Sequence, residues 1–195
     1  MTPELSLPIQ TAWLIPLYGF IGMLVSLPWA CGLFRRDAHR PAAYLNILLT
    51  LLAFAHGSLI LQEVYQSGPV DLAFPWLSLA DLELNISFSL SLTNLVALEL
   101  ITGLSLLSQV YSLGYMDKEW ALARFFALLG FFEGAMSGVV LSDSLFQSYF
   151  LLEMLTLSTY LLVGFWYAQP LVVTAARDAF LTKRWSCRLW RMPRH

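Results

Sequence analysis

Five long apolar stretches constrain this chain more than any other feature of its sequence. A transmembrane helix needs about 20 mostly apolar residues to cross about 30 Å of hydrocarbon. Composition agrees, because 58% of the 195 residues are hydrophobic and only 12% are charged, about half the charged share of a soluble domain. The sequence therefore predicts an all-α integral membrane protein, a bundle of about five transmembrane helices at about 12–34, 43–64, 92–114, 122–142 and 145–166.

All basic residues fall on one side of this predicted bundle. The loop after the first span, the region between the third and fourth spans, and the segment after the fifth hold all 11 Lys and Arg residues. Because cytoplasmic loops are enriched in Lys and Arg, the N-terminus is expected outside or in the lumen and the C-terminus in the cytoplasm. The net charge of −2 argues against nucleic-acid binding, and Cys31 and Cys187 form no metal-binding cluster in the sequence.

The segment between the second and third spans has a different period. From Leu82 to Leu92, apolar residues alternate with polar ones, which is typical of a half-buried strand. A shorter apolar run, 72–77, precedes it. The pair predicts a short β-hairpin on the outer surface, with its apolar face against helix ends or a partner subunit. The alternative is that Leu82–Leu92 is the polar start of the third helix.

Three glutamates lie well inside the predicted spans, and each needs a reason to be there. A carboxylate at bilayer depth costs at least about 2.5 kcal/mol, and the sequence places no Lys or Arg at a comparable depth. We therefore expect these carboxyls to be largely protonated, and to act as proton-relay elements that ionise when a cation or a file of water approaches. They are Glu99, Glu133 and Glu153.

Glu153 is the strongest relay candidate by sequence. Tyr149, Thr156 and Tyr160 share its helix face at a spacing of three to four residues, so their hydroxyl groups could carry a chain of hydrogen-bonded water. The alternative is a protonated carboxyl that is hydrogen-bonded to a neighbouring helix.

Glu133 and Glu99 allow the same two interpretations. Glu133 stands beside small residues, which favour close helix packing and hence a buried interhelical hydrogen bond. His56, a single histidine within the second span, is expected to be a packing residue rather than a relay member. No phosphate loop, catalytic nucleophile or metal-ligand pattern is present in the sequence.

The fifth span and the segment after it carry a recognisable pattern. Residues 151–184 read LLEMLTLSTYLLVGFWYAQPLVVTAARDAFLTKR, and the preceding block reads YSLGYMDKEWALARFFALLGFFEGAM. These blocks resemble the large antiporter-like membrane subunit of complex I and of type I NAD(P)H dehydrogenases. LPWACGLFRRDAHRPAAYLN near the start, FFEGAM and RDAFLTKR are similar to its cyanobacterial branch, called NdhF, in particular the variants that serve carbon dioxide uptake.

The resemblance implies a function for the glutamates. It makes Glu153 the fifth-helix glutamate of the family, coupled to lysines on later helices, in a membrane-arm subunit that couples electron transfer to proton movement. An alternative role within the family is proton removal for carbon dioxide hydration and uptake, for which Glu133 is the candidate.

The resemblance also implies a set of partners and a location. No cofactor is expected in this chain, whereas NAD(P)H or ferredoxin, iron–sulfur clusters and quinone belong to the parent complex. The expected partners are other membrane subunits, including a second antiporter-like subunit, and a carbon dioxide hydration subunit in the uptake variant. A cyanobacterial thylakoid or plasma membrane is the implied location.

The end of the sequence departs from the family pattern. A sixth helix is expected to start at about 170–184, but residues 185–195 form a basic tail without a helical period that continues the preceding one. The tail is typical of a frameshifted end, so a third interpretation is a truncated remnant with only a structural role.

Overall fold

The computed structural model describes residues 7–33, 40–79, 82–116 and 121–190, and describes the backbone alone at 75–79, 82–85 and 184–190. Helices dominate, and one pair of strands interrupts them. In chain order the elements are α1 (Leu7–Gln10), α2 (Leu14–Ala30), α3 (Arg40–Ser67), β1 (Val70–Leu79), β2 (Leu82–Leu90), α4 (Leu92–Tyr115), α5 (Leu122–Leu141), α6 (Leu145–Val163) and α7 (Pro170–Trp190).

Four of the described helices are long and apolar enough to cross a membrane: α3, α4, α5 and α6. The first predicted span, 12–34, corresponds to α2, an apolar helix of 17 residues, which is at the short end of the range for a transmembrane helix. A separate short helix, α1, precedes α2, and α2 ends at Ala30 with Cys31 as its C-cap, next to Gly32 with a φ of +76°. The prediction of an all-α integral membrane bundle is confirmed.

The helices run alternately up and down, so the two ends of the bundle differ. At one end, the hairpin and the ends of α3 and α5 enclose an apolar cluster that includes Val64, Phe88 and Leu141. At the other end, a second cluster joins the start of α3 to the start of α5 and the turn after α6, through Ala43, Phe126 and Phe165.

Helix α5 lies at the centre and packs against α2, α3, α4 and α6. Its contact with α2 is a close approach of glycine backbones. A Cβ atom on Gly19 would lie 2.4 Å from the Gly134 nitrogen and 2.7 Å from the Gly130 oxygen. The close packing that the small residues around Glu133 predicted is therefore present, because small residues allow two membrane helices to approach.

Strands β1 and β2 form an antiparallel hairpin with an irregularity between Pro75 and Leu77. Strand β2 is anchored to the turn between α5 and α6 and to the first turn of α6. The Asp143 nitrogen donates to the Ser87 oxygen over 3.1 Å, and the Ser87 nitrogen donates to Gln147 Oε1 over 3.2 Å. The hairpin prediction is confirmed. The alternative, that this segment starts the third helix, is wrong, because α4 begins at Leu92 with Ser91 as its N-cap.

Helix α7 extends further than the sequence predicted. The described backbone remains helical to Trp190, although we expected the helical pattern to end before the basic tail. Hydrogen bonds within a helix do not require an apolar face, so loss of hydrophobic period at residue 185 did not mark the end of the helix.

Candidate functional site

Glu133 is at the centre of a buried polar cluster that joins three helices. It projects from α5 and is 1% exposed. Its Oε2 atom accepts hydrogen bonds from Thr50 Oγ1 of α3 over 2.7 Å, from Ser105 Oγ of α4 over 2.8 Å and from Gln109 Nε2 of α4 over 3.0 Å. Gln109 Nε2 also lies 2.7 Å from Thr50 Oγ1. One carboxyl oxygen therefore receives three donors from two neighbouring helices.

The cluster forms because polar residues repeat along the inner faces of α3 and α4. On α4, Thr102, Ser105, Gln109 and Ser112 are three or four residues apart, a spacing that places them on one side of the helix. Sequence analysis named Glu133 but missed Thr50, Ser105 and Gln109. Their signal was this helical repeat of polar residues within otherwise apolar spans.

Two oxygen atoms of the cluster have no hydrogen-bond partner among the described residues. They are Glu133 Oε1 and Gln109 Oε1, both buried. A protonated carboxyl carries one donor hydrogen, whereas a carboxylate only accepts. The arrangement can therefore hold a proton on Glu133 without loss of the three hydrogen bonds to Oε2, with the free Oε1 atom as the position for that proton.

A second group of buried polar side chains lies where α2, α3 and α5 meet. Asn46 of α3 donates through Nδ2 to the Gly22 oxygen over 2.9 Å and to Ser26 Oγ over 2.7 Å. Its Oδ1 atom occupies the space beside Gly22 and Gly130, where an added Cβ atom would approach within 2.6 Å. These contacts join α3 to α2 beside α5, and so help to position the helices that surround Glu133.

Glu99 lies apart from this cluster, near the hairpin end of α4. Its Oε1 atom is buried and has no hydrogen-bond partner among the described residues. It points towards α3, where a Cβ atom on Gly57 would come within 2.7 Å of it. The absence of a side chain at Gly57 is therefore what leaves room for the Glu99 carboxyl.

His56 is a packing residue in this structure. Its Nε2 atom lies 3.1 Å from Thr11 Oγ1 and 3.3 Å from the Pro8 oxygen, and its ring meets the Tyr18 ring edge-on at 6.1 Å. The histidine connects α3 to the segment before α2, as expected for a structural role.

Glu153 is in a different environment from Glu133. It is partly buried on α6 and forms no hydrogen bond with any residue in the part of the chain that the structure describes. Tyr149 and Tyr160 are 56% and 36% exposed, and Thr156 donates to the backbone oxygen of Leu152. The structure thus joins none of these four predicted relay residues to the Glu133 cluster.

A basic residue of α7 contacts the end of α6. Lys183 donates through Nζ to Thr159 Oγ1 over 3.1 Å. Thr159 is four residues before the end of α6, so the expectation that no Lys or Arg lies at the depth of the three glutamates stays a prediction. The reversal of the chain after α6 brings the two helices side by side, which the linear sequence does not show.

Arg124 fixes the turn between α6 and α7. Its Nη2 atom donates to the Phe165 oxygen, and its guanidinium lies 4.8 Å from the Phe165 ring centre and 5.0 Å from that of Tyr167.

The residues described here bring together no group of three or more His, Cys, Asp or Glu side chains. The polar chemistry of the bundle is therefore that of separate carboxyl groups.

This fold defines a multi-pass integral membrane protein with carboxyl groups at bilayer depth. Comparison with known proteins narrows this class to one family. Residues 76–126 match the family model of the N-terminus of complex I chain 5, the NADH-ubiquinone oxidoreductase subunit. The resemblance predicted from the sequence is confirmed: the chain is similar to the N-terminal region of NAD(P)H-quinone oxidoreductase subunit 5.

Individual relatives support this assignment over most of the chain. One relative is NAD(P)H-quinone oxidoreductase subunit 5, organellar chromatophore 2, of Paulinella chromatophora. The two chains are 75% identical over 186 residues, and this alignment covers 94% of this chain and 30% of that protein. It is 32% identical to the chloroplastic subunit 5 of Chlorokybus atmophyticus, over 89% of this chain and 27% of that protein. The chain therefore spans about a third or less of the length of these relatives.

Proposed function

We propose that this chain takes part in proton translocation as the N-terminal region of a membrane-arm subunit of an NAD(P)H-quinone oxidoreductase. The observation that supports this is the buried Glu133 carboxyl in a chain whose relatives are subunit 5 of such complexes. A carboxyl at bilayer depth is costly and marks proton or ion pathways.

The chemistry that the chain supplies is a change of protonation and charge. At Glu133, three donors stabilise one oxygen while the other remains available for a proton. At Glu153, a cation that approaches favours the carboxylate and its departure favours the protonated acid. Alternation between these forms loads and unloads a proton, and no redox step is needed within this chain.

The remaining components belong to the parent complex in this proposal. NAD(P)H or ferredoxin, iron–sulfur clusters and quinone are assigned to other subunits, and a second antiporter-like subunit is the proposed neighbour in the membrane. Because the relatives are named as chloroplastic or chromatophore proteins, a thylakoid-type membrane is the proposed location.

Substitution of Glu153 tests this function. We expect Glu153→Gln in the assembled complex to lower the number of protons moved per electron, with electron transfer to quinone retained in part. Asp178→Asn is the matched control, because Asp178 is exposed and faces Arg177 rather than the bundle. An unchanged proton-to-electron ratio in Glu153→Gln contradicts the role.

A second candidate function is proton removal in support of carbon dioxide hydration, with a hydration subunit as the partner. The separate, fully enclosed cluster at Glu133 favours it, because it provides a proton-holding site away from α6. If carbon dioxide uptake and proton pumping are measured separately in Glu133→Ala, loss of uptake alone supports this candidate. Loss of pumping with uptake intact counts against it.

A further inference from the structure

A line of polar side chains runs along α4 from the Glu133 cluster towards the hairpin end. Side chains three or four residues apart are neighbours on a helix surface, and the members of this line have that spacing: Glu99, Thr102, Ser105 and Gln109. Ser105 and Gln109 are the two α4 members of the Glu133 cluster. Thr102 and Glu99 therefore continue the cluster by two further steps along the same helix.

Thr102 is the middle step of the line. It is 1% exposed, and its hydroxyl donates to the Leu98 oxygen over 3.0 Å and lies 3.3 Å from the Glu99 oxygen. A hydroxyl oxygen has two acceptor lone pairs besides its one donor hydrogen, and none of the described side chains donates to this one. A buried hydroxyl of this kind can accept a proton on one side while it releases its own on the other.

Glu99 forms the end of the line that is nearer the hairpin. Helix α4 starts at Leu92, so Glu99 is about 10 Å along the helix axis from that end. Its Oε1 atom is buried without a hydrogen-bond partner among the described residues, and Ser58 of α3 provides a hydroxyl beside the same carboxyl. The free oxygen is a position at which this carboxyl can hold a proton.

The groups around the middle of the line are apolar or are engaged elsewhere. Leu98 is fully buried next to Glu99, and the Phe54 ring of α3 lies 3.4 Å from the Cβ position of Gly103. His56 is close in sequence to Ser58, but its ring contacts the segment before α2 and the Tyr18 ring. The hydroxyl groups of α4 are therefore the polar connection between the two carboxyls.

We propose that Glu99 exchanges protons with Glu133 through Thr102 and Ser105, so that the enclosed Glu133 carboxyl communicates with the hairpin side of the membrane. The Cβ atoms of residues three apart are about 5–6 Å apart, so single water molecules bridge the successive hydroxyl groups. This inference rests on the proposed role of Glu133 as a proton-holding site and adds the route by which that site is loaded.

Each transfer conserves the number of protons along the line. Protonated Glu99 releases one proton to the adjacent water, each hydroxyl accepts one and releases its own, and Ser105 delivers one to Oε2 of the Glu133 carboxylate. Rotation of this carboxyl then brings the new O–H to the Oε1 position and returns an unprotonated oxygen to the three donors. Glu99 remains a carboxylate until a proton from the hairpin side replaces the one it released.

Infrared spectroscopy of the full chain, purified and reconstituted in phosphatidylcholine vesicles, tests this route. After a change from H2O to D2O buffer, the carbonyl band of a protonated carboxyl shifts as its proton is replaced by deuterium. The band of Glu133 is isolated by subtraction of the Glu133→Gln spectrum in each background. We expect its exchange to be at least about tenfold slower in Thr102→Val and in Glu99→Gln, because each lacks a positioned proton-transfer group.

Two further variants make the test specific to the hydroxyl. Thr102→Ser retains it and is expected to retain the exchange rate of the unsubstituted chain. Thr93→Val makes the same change at an exposed position in the first turn of α4 and is also expected to leave the rate unchanged. A loosened bundle would speed exchange, so slower exchange cannot arise from misfolding, and the exchange of backbone amides in the same spectra confirms that each variant is folded.

The outcomes separate this inference from the proposed function. An equal Glu133 exchange rate in the unsubstituted chain and in Thr102→Val overturns the route, as does equal slowing in Thr93→Val. The lack of any protonated Glu133 band overturns it as well. In each case a lower proton-to-electron ratio in Glu153→Gln would still support the proposed function, because that measurement does not involve the hydroxyl groups of α4.

Discussion

At the scale of single residues, the two central glutamates differ in what surrounds them. Glu133 is enclosed and receives three hydrogen bonds on one oxygen, whereas Glu153 is partly exposed and forms none with the described residues. If the Glu133 carboxyl is removed, three donors lose their shared acceptor, and two of them, on Thr50 and Gln109, are buried. Loss of the Glu153 carboxyl leaves no such group, so the two substitutions have different effects on stability.

We predict that Glu133→Ala lowers the free energy of unfolding of the chain in detergent micelles by about 1–3 kcal/mol, the usual effect of unsatisfied buried polar groups. Chemical denaturation in dodecyl sulfate measures it. Glu153→Ala is the control, with an expected change of about 0.5 kcal/mol or less. Equal destabilisation by the two substitutions would show that the three hydrogen bonds contribute nothing to stability.

At the scale of elements, the crossing of α2 and α5 depends on the absence of side chains. The Cβ position of Gly19 meets backbone atoms of α5, which cannot rotate away as a side chain can. Gly114 near the end of α4 has no heavy atom within 4 Å of its Cβ position. The same substitution therefore has opposite consequences at these two helical positions.

We predict that Gly19→Ala destabilises the bundle by about 1–3 kcal/mol, because overpacking at a close contact forces the helices apart. Gly114→Ala, the control, is expected to be neutral or to stabilise by up to ~1 kcal/mol through helix propensity. Thermal unfolding in detergent, followed by circular dichroism, compares them. A Gly19→Ala chain as stable as the unsubstituted one would contradict the packing of α2 on α5.

The hairpin is held by its base, and this also gives a prediction. Phe88 is 9% exposed and packs in the apolar cluster at the hairpin end, whereas Phe74 is 42% exposed. We predict a loss of about 3–5 kcal/mol for Phe88→Ala and a markedly smaller loss for Phe74→Ala. Limited proteolysis of the hairpin in reconstituted vesicles reports the difference, and equal cleavage rates would count against anchoring by Phe88.

At the scale of the whole molecule, two of the described basic residues mark one end of the bundle. Arg124 is at the start of α5 and Arg40 at the start of α3, both opposite the hairpin. Exclusion of positive charge from the translocated side favours a single orientation. We therefore expect the hairpin to face outside or the lumen, and Cys31 at the end of α2 to face the cytoplasm.

We predict that a cysteine placed at Asp71, an exposed hairpin position, reacts with a membrane-impermeant thiol reagent in right-side-out vesicles. Cys31, which is exposed at the end of α2, is expected to react only after permeabilisation. Each site is tested in a variant that retains a single cysteine. The reverse pattern would invert the predicted orientation of the whole bundle.

The features that the sequence alone could predict are those that repeat within one element. Apolar length predicted the membrane helices, alternation from Leu82 predicted the hairpin, and small residues beside Glu133 predicted close packing. These follow from local periodicity, because helix and strand each place side chains at a fixed interval. The sequence also identified Glu133 and Glu153 as costly residues at bilayer depth. It did not predict which side chains surround them.

Only the tertiary structure decided which polar groups meet. Thr50 and Glu133 are 83 residues apart, and Thr159 and Lys183 are 24 apart, so no local pattern relates them. Each pair forms because packed helices bring distant residues to the same level, and a buried carboxyl accepts whichever donors that level provides. The sequence determined that this protein spans a membrane and carries acidic groups within it, whereas the packing of its helices determined that Glu133 is enclosed by donors from two neighbouring helices and that Lys183 contacts Thr159 on α6.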